Sequence, residues 1–271
     1  MRTTKLTLLA VLLSGCTSNP YFIGAVGTGA TDVDPNLSFA VDLDQSGTSQ
    51  LGAALELPSG DLPRALVFQG ENASAEQWPS AQGSLQRSDT TPVAVQLPAP
   101  FTDQTRAVGF VSMAAAFGAS SAQLAALAGD DFALELVLKA APGASIADKR
   151  GSAAGWSVAV AADGTVQLAL QDDQRLAQVS SEALVTGAWY HCLFWVSRAV
   201  GGRAYCNGRE SGLTDLSALG SLAGTAPLSL GGGTQTSADR SEIAYFALFI
   251  ASSGGLGDST DWARVSRRRF A

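Results

Sequence analysis

Chemistry that depends on paired or clustered side chains has few places to occur in this chain of 271 residues. His191 is its single histidine. A serine or cysteine nucleophile would have no second imidazole to draw on, and a zinc site with two or three His ligands cannot be built. Lying beside Trp189 and Tyr190, His191 reads as a structural strand residue rather than a base. Glu135 stands alone in its apolar segment and Glu242 has only Asp239 nearby, so each is expected to be an outward-facing, solvated carboxylate. No glycine-rich loop runs from a strand into a helix, which leaves phosphate cradling without support.

The N-terminus carries a different kind of chemistry. Arg2 and Lys5 flank the start of an apolar run over residues 6–13 that closes on Leu13-Ser14-Gly15-Cys16. The run is too short for a hydrocarbon layer that needs about 20 helical residues, and a basic start before a short apolar core is a secretory signal. The four closing residues resemble the lipobox of bacterial lipoprotein signal peptides. That resemblance implies cleavage before Cys16, acylation of its thiol and of the freed amine, and a bilayer anchor in which each buried methylene contributes roughly 0.8 kcal/mol. It further implies a lipid-anchored protein of the bacterial cell envelope. Thr17, where inner-membrane lipoproteins often carry Asp, points to the outer membrane in a cell with two.

With Cys16 assigned to lipid, Cys192 and Cys206 remain as a pair in an oxidising compartment. Residues 189–196 and 203–206 read as strands joined by 197–202, and the two cysteines are equally far from Ala199, the middle of that connection. Directly opposed residues of an antiparallel pair have α-carbons about 4.5 to 5.5 Å apart, within disulfide range. A cross-strand disulfide is expected.

The net charge of −7 and the acidic N-terminal half argue against nucleic acid, which needs a continuous basic surface. Arg264, Arg267, Arg268 and Arg269 near the C-terminus read as a solvated helix face. Residues 17–36, rich in Gly, Thr, Asn and Asp, suit a flexible tether. Residues 37–61 alternate as two strands, either an extra β-hairpin or an irregular segment. Beyond them the pattern is almost all β: Phe132, Leu134, Leu136 and Leu138 share one face, as do Trp156, Val158 and Val160, and then Val166, Leu168 and Leu170 after a tight Asp163-Gly164 turn. Residues 243–250 are apolar on both faces, as in a strand at the middle of a sandwich. Only 121–128 and 262–270 look helical. The expected class is an all-β, two-sheet antiparallel sandwich with minor helices.

Ordered along the chain are Asp131-Phe132-Ala133-Leu134-Glu135-Leu136-Val137, Gly155-Trp156-Ser157-Val158, Asp163-Gly164-Thr165-Val166, Gly187-Ala188-Trp189-Tyr190-His191, Ala204-Tyr205-Cys206-Asn207-Gly208 and Pro227-Leu228-Ser229-Leu230-Gly231-Gly232. In order and spacing they resemble laminin-G-like domains of the concanavalin A-like lectin/glucanase superfamily, with 64–68, Trp78-Pro79 and 106–110 as the opening strands. The resemblance implies a jelly roll over residues 62–252, followed by a tail or helix at 253–271, whose concave sheet and rim loops carry ligands in many relatives. Cysteines stand at positions 192 and 206 where aliphatic residues are usual, which fits the disulfide.

Calcium-binding relatives make Asp130, Asp131, Asp148, Asp172, Asp173 and Asp239 the residues to consider for that ion, although none forms a recognisable loop motif and acidic turns in water are the simpler reading. Trp156 and Trp189 read as core, and Trp78 as an exposed ring in a polar loop. Retaining glycosidases need two carboxylates about 5 Å apart, which relatives place in a Glu-x-Asp-x-x-Glu strand. That run is missing here. The expectation is a non-catalytic binding or adhesion module for a glycan or surface protein. A glucanase-like glycoside hydrolase and a purely structural envelope lipoprotein are the alternatives.

Overall fold

The computed structural model describes the backbone of the strands between residues 64 and 119, then residues 131–139, 141–150, 154–231, 242–251, 256–257 and 259–270. All of these fall in one compact unit, Ser49–Phe270. The readings made for residues 1–61, including Cys16, and those for 121–128, Asp130 and Asp239 lie outside the described residues.

The strands are β1 Arg64–Gln69, β2 Gln77–Ser80, β3 Gly83–Ser88, β4 Thr91–Ala94, β5 Arg106–Gly109, β6 Ala116–Ala119, β7 Asp131–Lys139, β8 Ser145–Asp148, β9 Gly155–Val160, β10 Thr165–Gln171, β11 Leu176–Ala183, β12 Trp189–Ser197, β13 Gly201–Cys206, β14 Arg209–Glu210, β15 Leu228–Leu230 and β16 Glu242–Ala251. A helix, α1, covers Ser259–Phe270, starting a turn earlier than its arginine content suggests. Sheet A runs β14-β13-β12-β7-β16-β5-β4, with β1 also paired to β16, and sheet B runs β11-β10-β9-β8-β15-β6-β3-β2. Every pairing is antiparallel. The expected sandwich is what forms.

Alternation decides which side chains meet. On β10, Val166, Leu168 and Leu170 are buried while Thr165, Gln167, Ala169 and Gln171 are half-exposed, as in a sheet with one solvated face. The buried set joins Phe132, Leu134, Leu136 and Leu138 of β7 and Trp156 and Val158 of β9 in the core between the sheets. Phe132 and Trp156 stack there at 6.2 Å. Strand β7 differs from β10 because its second face is covered too: Ala133 and Val137 belong to a separate cluster with Leu193, Trp195, Tyr205, Tyr245, Phe249, Leu256, Trp262 and Ala263. Sheet A therefore has apolar packing on both sides, with α1 lying against β12 and β13. This explains why residues 243–250 are apolar throughout.

Two tight connections require their residue types. Asn207 at φ 48° and Gly208 at φ 74° turn β13 into β14, the paired left-handed conformation of a two-residue hairpin. Gly201 opens β13 at φ 137°, where an added Cβ would sit 2.5 Å from the Thr214 carbonyl oxygen. A side chain there would push away the segment bridged to β13 through Gly202 and Thr214.

Candidate functional site

Two regions gather the polar side chains. One is a rim built from the β10–β11 turn, the β12–β13 turn and the long connection between β14 and β15. The Asp172 carboxylate accepts the backbone N–H of Gly220 at 2.6 Å, of Gln174 at 2.7 Å and of Arg175 at 2.5 Å. The Gly220 amide first, then the Gln174 amide, holds its pKa below the ordinary value of 3.8. Arg175 donates to the carbonyl of Ala218, and Arg198 to those of Leu219 and Gly220. The Arg198 backbone N–H in turn donates to Asp131 Oδ1 at 2.7 Å. Thus the start of β7 and both turns hold the 218–220 stretch in place. Exposed Leu176 and Val200 flank this rim, and exposed Leu213 packs by Gly201.

A carboxylate whose folded pKa is depressed stabilises the fold above its unfolded pKa, and that contribution is lost as pH falls through the folded value. Asp172→Asn is therefore expected to lower the urea midpoint at neutral pH, with the gap to the unsubstituted protein narrowing below pH 3.8. A gap that stays constant across that range would show that the charge of Asp172 does not hold the rim. Lys149 makes a similar tie at the other turn. Its Nζ donates to the Gly224 carbonyl at 2.8 Å, and burial pushes its pKa down. Sequence patterning gives no reason to single out Lys149 or Arg198, and it raises Asp172 only as a calcium candidate, because the partners of all three are backbone groups of a distant loop.

The second region is the outer side of sheet A. Here two expectations are corrected. Glu135 is fully buried rather than solvated, with Oε1 2.8 Å from His191 Nε2, itself fully buried. Alternation puts Glu135 on the face shared by Ala133 and Val137, and α1 and its approach cover that face. Glu242 is also buried, 3.7 Å from Lys139 Nζ. The register sets Glu242 opposite Lys139, four residues along β7 from Glu135, a backbone spacing of about 13 Å along the strand, and each carboxylate is turned to a partner of its own, His191 or Lys139. A retaining pair needs about 5 Å and an inverting pair at most about 9.5 Å.

The remaining sequence-derived residues distribute as follows. His191 is a strand residue, as expected; its backbone N–H donates to Asn207 Oδ1 at 2.9 Å. Cys192 and Cys206 are directly opposed in register and joined by a disulfide with α-carbons 4.2 Å apart. Asp131 is buried in β7 and bonded to Arg198 and to Ser197, rather than standing in a water-exposed turn. Asp148 accepts the Arg150 amide at 2.7 Å. Among the described residues no group of three or more His, Cys, Asp or Glu side chains is placed to hold a metal ion. Trp156 is core, whereas Trp189 is partly buried at the margin of the outer cluster. Trp78 belongs to strand β2, as the opening-strand reading of Trp78-Pro79 implies and not to a polar loop, because β3 pairs with it at Leu85.

Residues 119–246 match the family model described as the concanavalin A-like lectin/glucanases superfamily, in its laminin-G branch. The matched segment, a little under half of the chain, is similar to laminin-G-like domains. Among solved structures, the domain and its flanking strands are similar to the binding domain of Paraclostridial Mosquitocidal Protein 1, at 8% identity and a TM-score of 0.55 over 73% of this chain and 52% of that one. The botulinum neurotoxin type G receptor binding domain gives 11% identity and a TM-score of 0.55 over 74% and 50%. The serotype D ligand binding domain, in complex with N-acetylneuraminic acid, gives 13% and 0.51 over the same shares. The chain thus spans about half the length of these structures, and the likeness is one of fold. No curated protein matches the sequence.

Proposed function

We propose that this chain is a lipid-anchored, extracytoplasmic binding module whose laminin-G-like domain holds a glycan or surface-protein ligand without turning it over. The observation that carries this reading is the commitment of Glu135 to His191 inside the protein, with the backbone of Glu242 about 13 Å further along the sheet and its carboxylate turned to Lys139. Support also comes from the structural neighbours, named as receptor or ligand binding domains, one of them holding a sialic acid. Fold alone does not establish chemistry, so the test is direct. Protein lacking residues 1–16 is applied to a glycan array and incubated with β-glucans, with product analysis. Retention without cleavage is expected. Turnover that vanishes in Glu135→Gln or Glu242→Gln would replace the binding module with a glycoside hydrolase.

Anchoring rests on one sulfur, Cys16. The full chain is expected to partition into detergent and Cys16→Ser to release it to the aqueous phase, because two or three acyl chains make a stable anchor and the serine carries none. Unchanged membrane retention in that variant would remove the lipoprotein reading. Cell fractionation then tests the outer-membrane placement drawn from Thr17.

A further inference from the structure

The outer side of sheet A holds side chains that a helix-packing surface does not require. Across β12, β7 and β16 the register gives three successive rows: Trp195, Ala133, Phe249; then Leu193, Glu135, Ala247; then His191, Val137, Tyr245. The first row is an alanine floor between two aromatic walls. The second and third add a carboxylate, an imidazole and a phenol on the same face. Into this arrangement α1 inserts Trp262, fully buried, its ring 5.6 Å from that of Phe249. The fit between helix and sheet is incomplete in its polar groups: Trp195 Nε1 and, one turn after Trp262, the Ser266 hydroxyl are buried with no hydrogen-bond partner among the described residues. Core layers rarely leave such donors unmatched.

From this juxtaposition we infer that the face beneath α1 is a cryptic saccharide-binding trough, plugged in cis by Trp262. The inference builds on the binding reading above and places its site on this face rather than on the rim. A pyranose offers an apolar C–H face of roughly indole size, which stacks between aromatic walls, and equatorial hydroxyls that bond to carboxylate, imidazole and indole N–H groups. Trp195, Phe249, Glu135 and His191 supply that set. Trp262 occupies the ring position, held by its Nε1 donating to the Leu256 carbonyl at 2.7 Å, while Tyr205 donates to the Ser259 carbonyl at 2.9 Å at the head of the helix. Ligand entry requires α1 to lift. The apparent affinity of the resting protein is then reduced by the fraction of time the helix is open.

The test uses the detergent-solubilised full chain with laminarin oligosaccharides and sialyllactose as probes. Trp262→Ala is expected to raise affinity at least about tenfold, as for an open fraction of about a tenth or less. Adding Trp195→Ala to that variant is expected to abolish the gain. In the unsubstituted protein, saturating probe should speed amide hydrogen exchange in residues 259–270 while leaving β12 protected. This second readout decides the matter should Trp262→Ala fail to fold. Probe binding that ignores both substitutions and leaves α1 exchange unchanged would overturn the trough and keep the binding module. Absence of binding by both the unsubstituted protein and Trp262→Ala would overturn the trough and the glycan half of the binding reading, leaving a surface-protein ligand.

Discussion

Glu135→Ala is expected to destabilise the protein by about 3 kcal/mol or more, the range for removing one member of a buried pair. Both carboxylate and imidazole are fully buried, so solvent screening does not dilute their contact. Taking away the carboxylate leaves His191 in the layer under α1 without the acceptor 2.8 Å from its Nε2, and opens space between Leu193 and Ala247. Replacing both residues by leucine should recover most of the loss, since an apolar pair of similar volume carries no desolvation penalty. Urea unfolding of the two variants measures this. A loss below about 0.5 kcal/mol for Glu135→Ala, the size typical of surface positions, would mean that the carboxylate is not held as described.

That pair also marks where the sequence stops being readable. The face between the sheets was legible because alternation is a local signal: Phe132, Leu134, Leu136 and Leu138 announce a buried side within nine residues, and Val166, Leu168 and Leu170 do the same on the facing sheet. The disulfide was legible for a similar reason, through the symmetry of Cys192 and Cys206 about one short connection. Glu135 looked solvated because Ala133, Glu135, Val137 and Lys139 form a mixed row with no sign of a cover. The cover is Leu256, Trp262 and Ala263, from a helix that packs across the sheet, and the partner of Glu135 lies 56 residues away. The rim was hidden differently. Asp172, Lys149 and Arg198 act on backbone groups of residues 218–224, and backbone partners leave no trace in side-chain patterning. For Trp78 the two signals conflict: Pro79 and polar neighbours suggest a loop while the family resemblance implies an opening strand, and the strand is what forms, with β2 the last strand of sheet B, where proline is tolerated.

Replacing Cys192 and Cys206 together by alanine is expected to cost about 3 kcal/mol through the unfolded chain alone, the loop-closure value for a crosslink spanning about 15 residues. The bridge joins residues 14 apart, which sets that loop. A second contribution arises in the folded state, because both cysteines belong to the core between the sheets, beside Leu136, Phe194 and Ala204. Alanine removes both sulfurs and leaves a void that β12 and β13 can close only by shifting against β7. Cys192→Val with Cys206→Ala refills part of the void without restoring the crosslink. Comparing the two double variants therefore separates packing from chain constraint. If chain constraint dominates, the valine variant stays about 3 kcal/mol below the parent in urea unfolding, and the parent drops to a similar level in reductant. If the valine variant matches the parent, packing accounts for the effect and the bridge adds little. The covalent state itself is checked by thiol labelling of unfolded, unreduced protein. Labelling at neither position is expected, and stoichiometric labelling at both would show that the native protein carries free thiols there.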